Sequence, residues 1–165
     1  VSHDEEEVMA ISDRVAVIIG GKIAQIGAPD DVYSRPNSIG VAEVIGSPPM
    51  NFFQGGFSED GLFFDAGSLG GRLTLNGQPE YEGSATLGIR PEDIWLVQDG
   101  EDADFEFLIN SVETLGGHTI LNAKIGDKIV KIRAPGQVNI REGTIQKVSF
   151  DQRRIHLFSD NGVRL

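Results

Sequence analysis

Apolar and polar residues follow two different periods along the chain, and the first 46 residues contain both. Between Asp4 and Ile11 the acidic residues occupy the first turn, where they suit the positive end of a helix dipole. Val8 and Ile11 stand three residues apart on one side. The pattern predicts a short helix with Ser2 or Asp4 as its N-cap.

A hairpin is predicted directly after this helix. The stretch from Arg14 to Ile19 is rich in β-branched residues, and a second such stretch runs from Lys22 to Ile26. Gly20 and Gly21 separate them, and glycine reaches the positive φ angles that a tight primed turn requires.

Two more helices are predicted before the pattern changes. Pro29 suits the first position of a helix over 29–33, and a second helix is expected over 38–45. Pro48 and Pro49 then stop helix formation. The sequence therefore predicts a small α+β unit at 1–46, a linker at 47–52 and a second domain at 53–165.

The rest of the chain has the period-two pattern of strands, interrupted by glycine. Turn residues recur roughly every 8–12 residues, which is typical of a small barrel or sandwich. Ten strands are predicted, at 52–57, 62–65, 72–75, 86–89, 94–97, 104–115, 119–125, 128–133, 144–150 and 155–158.

Charge and composition narrow the classes of function. The 165 residues carry a net charge of -11 and contain no cysteine, so disulfides and thiolate metal sites are excluded. A polyanion would be repelled, because nucleic-acid affinity rests on lysine and arginine, and no nucleic-acid partner is expected. Nothing at the start of the sequence suggests secretion. The basic residues Lys124, Lys128, Lys131 and Arg133 are expected to form a solvated sheet face.

Three ordered strings resemble one known family. The chain starts Val-Ser-His-Asp and continues into an acidic segment ending in Met9; Gly-Ser-Pro-Pro-Met-Asn follows at 46–51, and Leu-Gly-Ile-Arg-Pro-Glu-Asp at 87–93. The first string resembles the switch-histidine segment of an ABC transporter ATPase. The other two resemble the transport-associated oligonucleotide-binding-type (TOBE) domain of maltose- and glycerol-phosphate-type importer ATPases.

The resemblance implies a mainly β fold, in which an OB-like Greek-key barrel with a regulatory role follows the α+β end of an ABC ATPase domain. It implies that His3 contacts the γ-phosphate in the intact subunit and is the catalytic residue of this chain. ATP and Mg²⁺ belong to that intact subunit. The sequence contains no GxxxxGK[ST] phosphate loop, so no cofactor or metal is expected in these residues and no ATPase activity from them alone.

The partners implied by the resemblance are a second ATPase subunit and the transmembrane permease subunits, with a regulatory protein or metabolite as a further possibility. The location implied is cytoplasmic, on the inner face of the cell membrane. Because the net charge opposes pairing, a locally apolar patch is expected to form the dimer, with candidates near 87–97 and 112–115.

A second class of function stays open on the residues. The barrel type also serves as a sensing module for an oxyanion or a sugar phosphate. A candidate pocket for that function consists of Ser111, Thr114, Gly116, Gly117 and His118. The acidic run at 4–7 is expected to be a solvated helix turn rather than a metal site, because adjacent helical carboxylates point in different directions.

Overall fold

A computed structural model describes residues 2, 4–59, 61–69, 71–75, 81, 83–98 and 100–165 of the protein. Helix α1 spans Glu5–Ile11 and begins as predicted: the Asp4 side chain accepts a hydrogen bond from the Glu7 backbone N–H, 3.0 Å away. Ser2 supports this cap, since its hydroxyl accepts the Asp4 N–H. Both cap candidates therefore take part in starting the helix.

The predicted hairpin follows as β1 (Val15–Ile19) and β2 (Lys22–Gly27). Gly20 and Gly21 have φ angles of 57° and 76°, so both residues of the turn are in the left-handed region that only glycine adopts at low cost. The pairing register shifts between Val17 and Ile18.

Helices α2 (Pro29–Ser34) and α3 (Ile39–Val44) complete the first part of the chain. Pro29 starts α2, and the Ser38 hydroxyl caps α3 by accepting the Val41 N–H. A small apolar cluster unites the helices with the hairpin; its buried members are Val15, Val17, Val32 and Val41.

All ten predicted strands are present in the second part. They form two antiparallel five-stranded sheets, ordered β10-β9-β8-β11-β7 and β12-β6-β3-β4-β5. Short 3₁₀ helices that the pattern did not predict lie at Gly67–Leu69, Pro91–Asp93 and Gln152–Arg154. The strands are β3 (Asn51–Phe57), β4 (Phe63–Ala66), β5 (Gly71–Thr74), β6 (Ser84–Ile89), β7 (Ile94–Leu96), β8 (Phe105–Thr114), β9 (His118–Ile125), β10 (Lys128–Pro135), β11 (Ile145–Phe150) and β12 (His156–Ser159).

One core lies between the two sheets. Strand β8 shows why: Phe105, Phe107 and Ile109 alternate with exposed residues and point inward. The rings of Phe105 and Phe107 pack against Phe150 of β11. The centroid of the Phe150 ring in turn lies 6.0 Å from that of Phe53 in the other sheet. The first sheet curls so that its outer strands β10 and β7 contact each other, giving the nearly closed, mainly β barrel that was predicted.

Asn51 joins the two sheets. Its amide N–H donates to the Ile89 carbonyl of β6 and to the Lys131 carbonyl of β10, and its carbonyl accepts the Lys131 N–H at 2.8 Å. The side chain thus makes the pairing that the edge of β10 would otherwise leave unmade. Strand β3 begins at this residue, inside the segment predicted as the linker.

The C-terminal residues of the chain also hold the start of α3 against the barrel. The Arg164 N–H donates to the Asn37 carbonyl, and the Ile39 N–H donates to the Gly162 carbonyl. Ala42 of α3 is fully buried against Met50 and Phe158. The C-terminal residues therefore cross back to α3 and fix its orientation on the barrel.

Two sequence expectations about surfaces also have an outcome. Of the basic residues, Lys124 and Lys128 are exposed while Lys131 and Arg133 are half-buried, in keeping with a sheet face that meets water. In the part of the chain that the structure describes, no helix has the length and apolar character needed to cross a bilayer.

Candidate functional site

His3, the predicted catalytic residue, lies outside the described residues, so its role stays a prediction. The helix that follows it is described and is anchored at its first residue. The Glu5 carboxylate accepts the Gly46 N–H at 2.5 Å, across 41 residues of sequence. The start of α1 is therefore tied to the junction between α3 and the barrel.

Arg90 is the central side chain of this junction. It stands directly after β6, in the string at 87–93, and it is 2% exposed. One guanidinium nitrogen donates to the Ile45 carbonyl at 2.8 Å and another donates to the Tyr33 carbonyl at 2.6 Å. Its central carbon lies 3.6 Å from the centroid of the Tyr33 ring, a cation–π contact.

The two carbonyls that Arg90 binds belong to helix ends. Tyr33 is in the last turn of α2, and Ile45 is the C-cap of α3. The last carbonyls of a helix have no partner within it, and a cation is favourable at this negative end of the dipole. A single barrel residue therefore caps both α2 and α3.

Gly46 makes room for this arrangement. Its φ angle is 118°, and a Cβ placed on it would lie 2.4 Å from a nitrogen of Arg90. A side chain at this position would have to displace the guanidinium and would also strain the backbone.

Carboxyl groups surround the aromatic side of the junction. The Tyr33 hydroxyl donates to the Glu92 carboxylate, and burial together with this bond raises the pKa of Tyr33. Burial, and then the charge of Glu92, raise the pKa of Asp93 to about 6. The strand-to-helix turn after Arg90 thus keeps two adjacent carboxyls close to α2.

A cavity of about 480 Å³ opens beside Arg90, and we call it the junction cavity. Its basic residues are Arg90, Arg153, Arg154, His156 and Arg164, and its carboxylates are Asp30, Glu92 and Asp93. A nitrogen of Arg164 lies 2.7 Å from His156 Nδ1, and because a guanidinium only donates, Nδ1 is the acceptor. Burial and then Arg164 lower the pKa of His156 to about 4, so the ring is neutral at neutral pH.

The raised pKa of Asp93 predicts a pH-dependent effect of Asp93→Asn. The folded state penalises the ionised carboxylate, so the contribution of Asp93 to stability is fully present below its ordinary pKa of 3.8 and is lost as pH rises through about 6. We expect the variant to be more stable than the parent by about 1–2 kcal/mol at pH 7.5, a figure reduced for the partial exposure of Asp93.

Urea unfolding at several pH values between 3.5 and 7.5 measures this effect. The difference between variant and parent should shrink to nothing below about pH 4. Asp102→Asn, in an exposed loop, is the matched control and should differ little from the parent throughout. An Asp93→Asn variant that is less stable than the parent at pH 7.5 would show that the ionised carboxylate is stabilising there.

The pocket suggested for a sensing module has a different character. Ser111, Thr114, Gly116, Gly117 and His118 lie at the end of β8, in the turn and at the start of β9, and none of them lines the junction cavity. Gly116 has a φ of 68°, as a turn residue does, and Ser111 accepts a hydrogen bond from Asn122. Within the described residues, no group of His, Asp and Glu side chains has the arrangement of a metal site.

Sequence reasoning missed Arg90, His156 and Arg164 as a group. A signal for Arg90 was present, because it is a charged residue that follows the apolar run Leu87–Ile89 directly and precedes a proline. Arg164 and His156 come together only through the return of the C-terminal residues to α3, and no short-range pattern indicates that contact.

Comparison with known proteins defines the class. Residues 46–94 match the family described as the MalK OB fold domain, and residues 87–158 match the TOBE domain. The chain therefore carries both of these domains, and it corresponds to the C-terminal part of the importer ATP-binding subunits that it matches.

Individual relatives agree with this assignment. The chain is 33% identical to the sulfoquinovosyl glycerol transport ATP-binding protein of Agrobacterium fabrum, over 96% of this chain and 45% of the relative. It is 35% identical to the trehalose/maltose import ATP-binding protein of Thermococcus litoralis, over the same shares. A glycerol-3-phosphate import ATP-binding protein of Pectobacterium atrosepticum is 36% identical over 100% of this chain and 46% of the relative. The chain thus spans about half the length of the curated relatives it matches.

Proposed function

We propose that this chain is part of the ATP-hydrolysing, energy-coupling subunit of an ABC importer for sugars or related solutes, and that its barrel is the regulatory domain of that subunit. The names of its relatives support the proposal, since they are ATP-binding proteins for sugar and glycerol-phosphate import. The observation that carries the regulatory role is the position of Arg90, which joins the barrel to the ends of α2 and α3.

The contacts at the junction supply a physical route for regulation. Arg90 donates to the carbonyl of Ile45, and the N–H of the following residue, Gly46, donates to the carboxylate of Glu5. Glu5 is the first residue of α1, the helix that follows His3 in sequence. These are direct hydrogen bonds within packed elements, so a shift of the barrel changes the anchoring of α1. We infer that the barrel biases the placement of His3 through this series of contacts.

In the intact subunit, ATP and Mg²⁺ are bound mainly by residues outside this sequence. The residues present do not fit a nucleotide site by themselves, because the chain has no GxxxxGK[ST] loop to surround phosphates. The role proposed for His3 is to donate to the γ-phosphate, a task that an imidazole performs in one of its tautomers.

The partners proposed are a second copy of the subunit and transmembrane permease subunits, which place the protein at the cytoplasmic face of the membrane. Of the patches expected to form the dimer, Leu87 and Ile89 are buried in the core. Trp95, which is 53% exposed, and Leu115, which is 55% exposed, are the apolar side chains there that a second copy would cover.

We expect these 165 residues alone to release no phosphate from ATP above a blank, because they cannot hold the nucleotide. A colorimetric phosphate assay with Mg²⁺ at neutral pH measures this release. The full-length subunit, purified by the same procedure, is the positive control. Release by the 165 residues that disappears in the His3→Ala variant would contradict the proposal.

A further inference from the structure

Three arginines of the junction cavity have no carboxylate partner. Arg153 pairs with Asp151 at 3.3 Å. Among the described residues, Arg90, Arg154 and Arg164 take part in no ion pair, although the chain has 25 acidic residues and only 14 lysines and arginines. Three guanidinium groups of a strongly acidic protein thus lie at one place without a direct ion pair among the described residues.

The carboxylates of the same cavity make no direct ion pair with these groups in the part of the chain that the structure describes, although the charges of Arg154 and Arg90 act on Asp93. Within the described residues, Asp30, Glu92 and Asp93 form no ion pair with the cavity's arginines. Glu92 instead accepts the hydroxyl of Tyr33. Carboxylates thus line the same cavity, but among the described residues none of them lies within ion-pair distance of these arginines.

Arg90 also carries an unmade hydrogen bond. Its Nε is buried and has no acceptor, while the side chain as a whole is 2% exposed and lines the cavity. Nearly all buried donors in proteins have a hydrogen-bond acceptor, and each exception calls for an explanation, such as a site where a water or a ligand binds.

The field at His156 has the sign expected of an anion site. After burial, the charges of Arg164, Arg90 and Arg154 are what lower the pKa of this ring. Three guanidinium groups thus act on this ring, although the chain as a whole carries a net charge of -11.

We propose that the junction cavity binds a small molecule carrying a phosphate group, held by Arg154 and Arg164 with Arg90 beside them. Guanidinium groups bind phosphate through two parallel hydrogen bonds, and several unpaired cations suit a dianion better than a single carboxylate. The volume of about 480 Å³ lies in the range of small-molecule sites and exceeds what inorganic phosphate fills. The favoured ligand is therefore a phosphorylated metabolite.

This site goes beyond the proposed function, because it gives the barrel a ligand class and a place to bind it. A ligand there contacts Arg154 of the 3₁₀ helix at Gln152–Arg154 and Arg164 of the C-terminal segment. It lies beside Arg90, which holds both helix ends. Binding therefore stiffens the contact between the barrel and the helical part.

Calorimetry and NMR on the 165-residue chain test the site, at constant ionic strength with glucose 6-phosphate, inorganic phosphate and uncharged glucose. We expect the sugar phosphate to bind more tightly than inorganic phosphate, and glucose not to bind. The pKa of His156 should rise from about 4 by a unit or more in the complex, because the anion offsets the guanidinium charges. No nucleotide is involved, so the result is independent of the ATPase proposal.

Variants decide whether the named residues hold the ligand. Arg154→Gln and Arg164→Gln should each weaken binding of the sugar phosphate about tenfold or more. Arg72→Gln is the matched control, since Arg72 is an exposed arginine outside the cavity that pairs with Asp65, and the affinity of this variant should stay within about twofold of the parent. If Arg164→Gln unfolds the chain, the affinity of Arg154→Gln decides whether the cavity is the binding site. The Arg154 side chain is exposed, so its replacement should not unfold the chain.

Two results overturn the proposal: no binding of either phosphate at millimolar concentration, or binding that Arg154→Gln leaves unchanged. Equal affinity for both phosphates, lost in Arg154→Gln, keeps the site and identifies its ligand as the free anion.

Discussion

Replacing Arg90 by methionine is expected to lower the free energy of unfolding of the chain by about 3 kcal/mol. Methionine keeps the apolar stem but leaves the part-buried carbonyls of Tyr33 and Ile45 without the donor that Arg90 supplies. The cation–π contact with Tyr33 is lost at the same time. In a chain of this length, each kcal/mol of lost stability lowers the midpoint temperature of unfolding by about 2–4 °C. The midpoint temperature should therefore fall by about 6–12 °C.

Urea unfolding and calorimetry measure this loss. Arg72→Met is the control, because Arg72 forms an exposed ion pair with Asp65 that is worth little. Arg90→Lys should recover only part of the loss, since an ammonium group cannot reach two carbonyls in the fixed fork of a guanidinium. A stability within 1 kcal/mol of the parent for Arg90→Met would show that the junction does not depend on this side chain.

His3→Ala in the full-length subunit is expected to lower ATP turnover by about 10²–10³ while leaving nucleotide binding largely intact. One oriented donor lost from a transition state costs about 2.7–4 kcal/mol, and the ground-state contacts with the nucleotide are made elsewhere. Turnover of the subunit assembled with its permease partner, beside a nucleotide-binding titration, separates the two effects.

The control for His3→Ala is Asp127→Ala in the same subunit, because Asp127 is exposed in the turn between β9 and β10 and lies outside the junction cavity and the proposed dimer patches. Its turnover should match that of the parent. Half of the parent's turnover retained in His3→Ala would rule out the catalytic role, whereas a loss of nucleotide binding would show that the histidine contributes to the ground state.

Local elements were predictable because their causes are local. The hairpin required Gly20 and Gly21 at its turn, and both have positive φ. Asp4 caps α1 through a contact three residues away. Phe105 and Phe107 of β8 alternate with exposed residues and lie in the core, as the period of a strand requires. In each case the determining interaction lies within a few residues, or the pattern repeats with the period of the strand.

The order of the strands was not predictable in the same way. The sequence indicated a small barrel or sandwich. It did not show that β12 pairs with β6, or that β11 lies between β8 and β7. Adjacency depends on long-range packing of side chains that look alike in sequence. Asn51 illustrates the limit: it bonds to a residue 80 positions away.

The amino-acid sequence by itself determined the helices, the hairpin, the ten strands and the resemblance to importer ATPases. Periodicity, glycine positions and short motifs are properties of the chain, and they do not depend on how it folds. Only the tertiary structure decided that Arg90 caps two helices and that Arg154, Arg164 and His156 meet in one cavity. The reason is physical: a buried cation is stabilised by the particular carbonyls around it, and folding alone brings those carbonyls within reach.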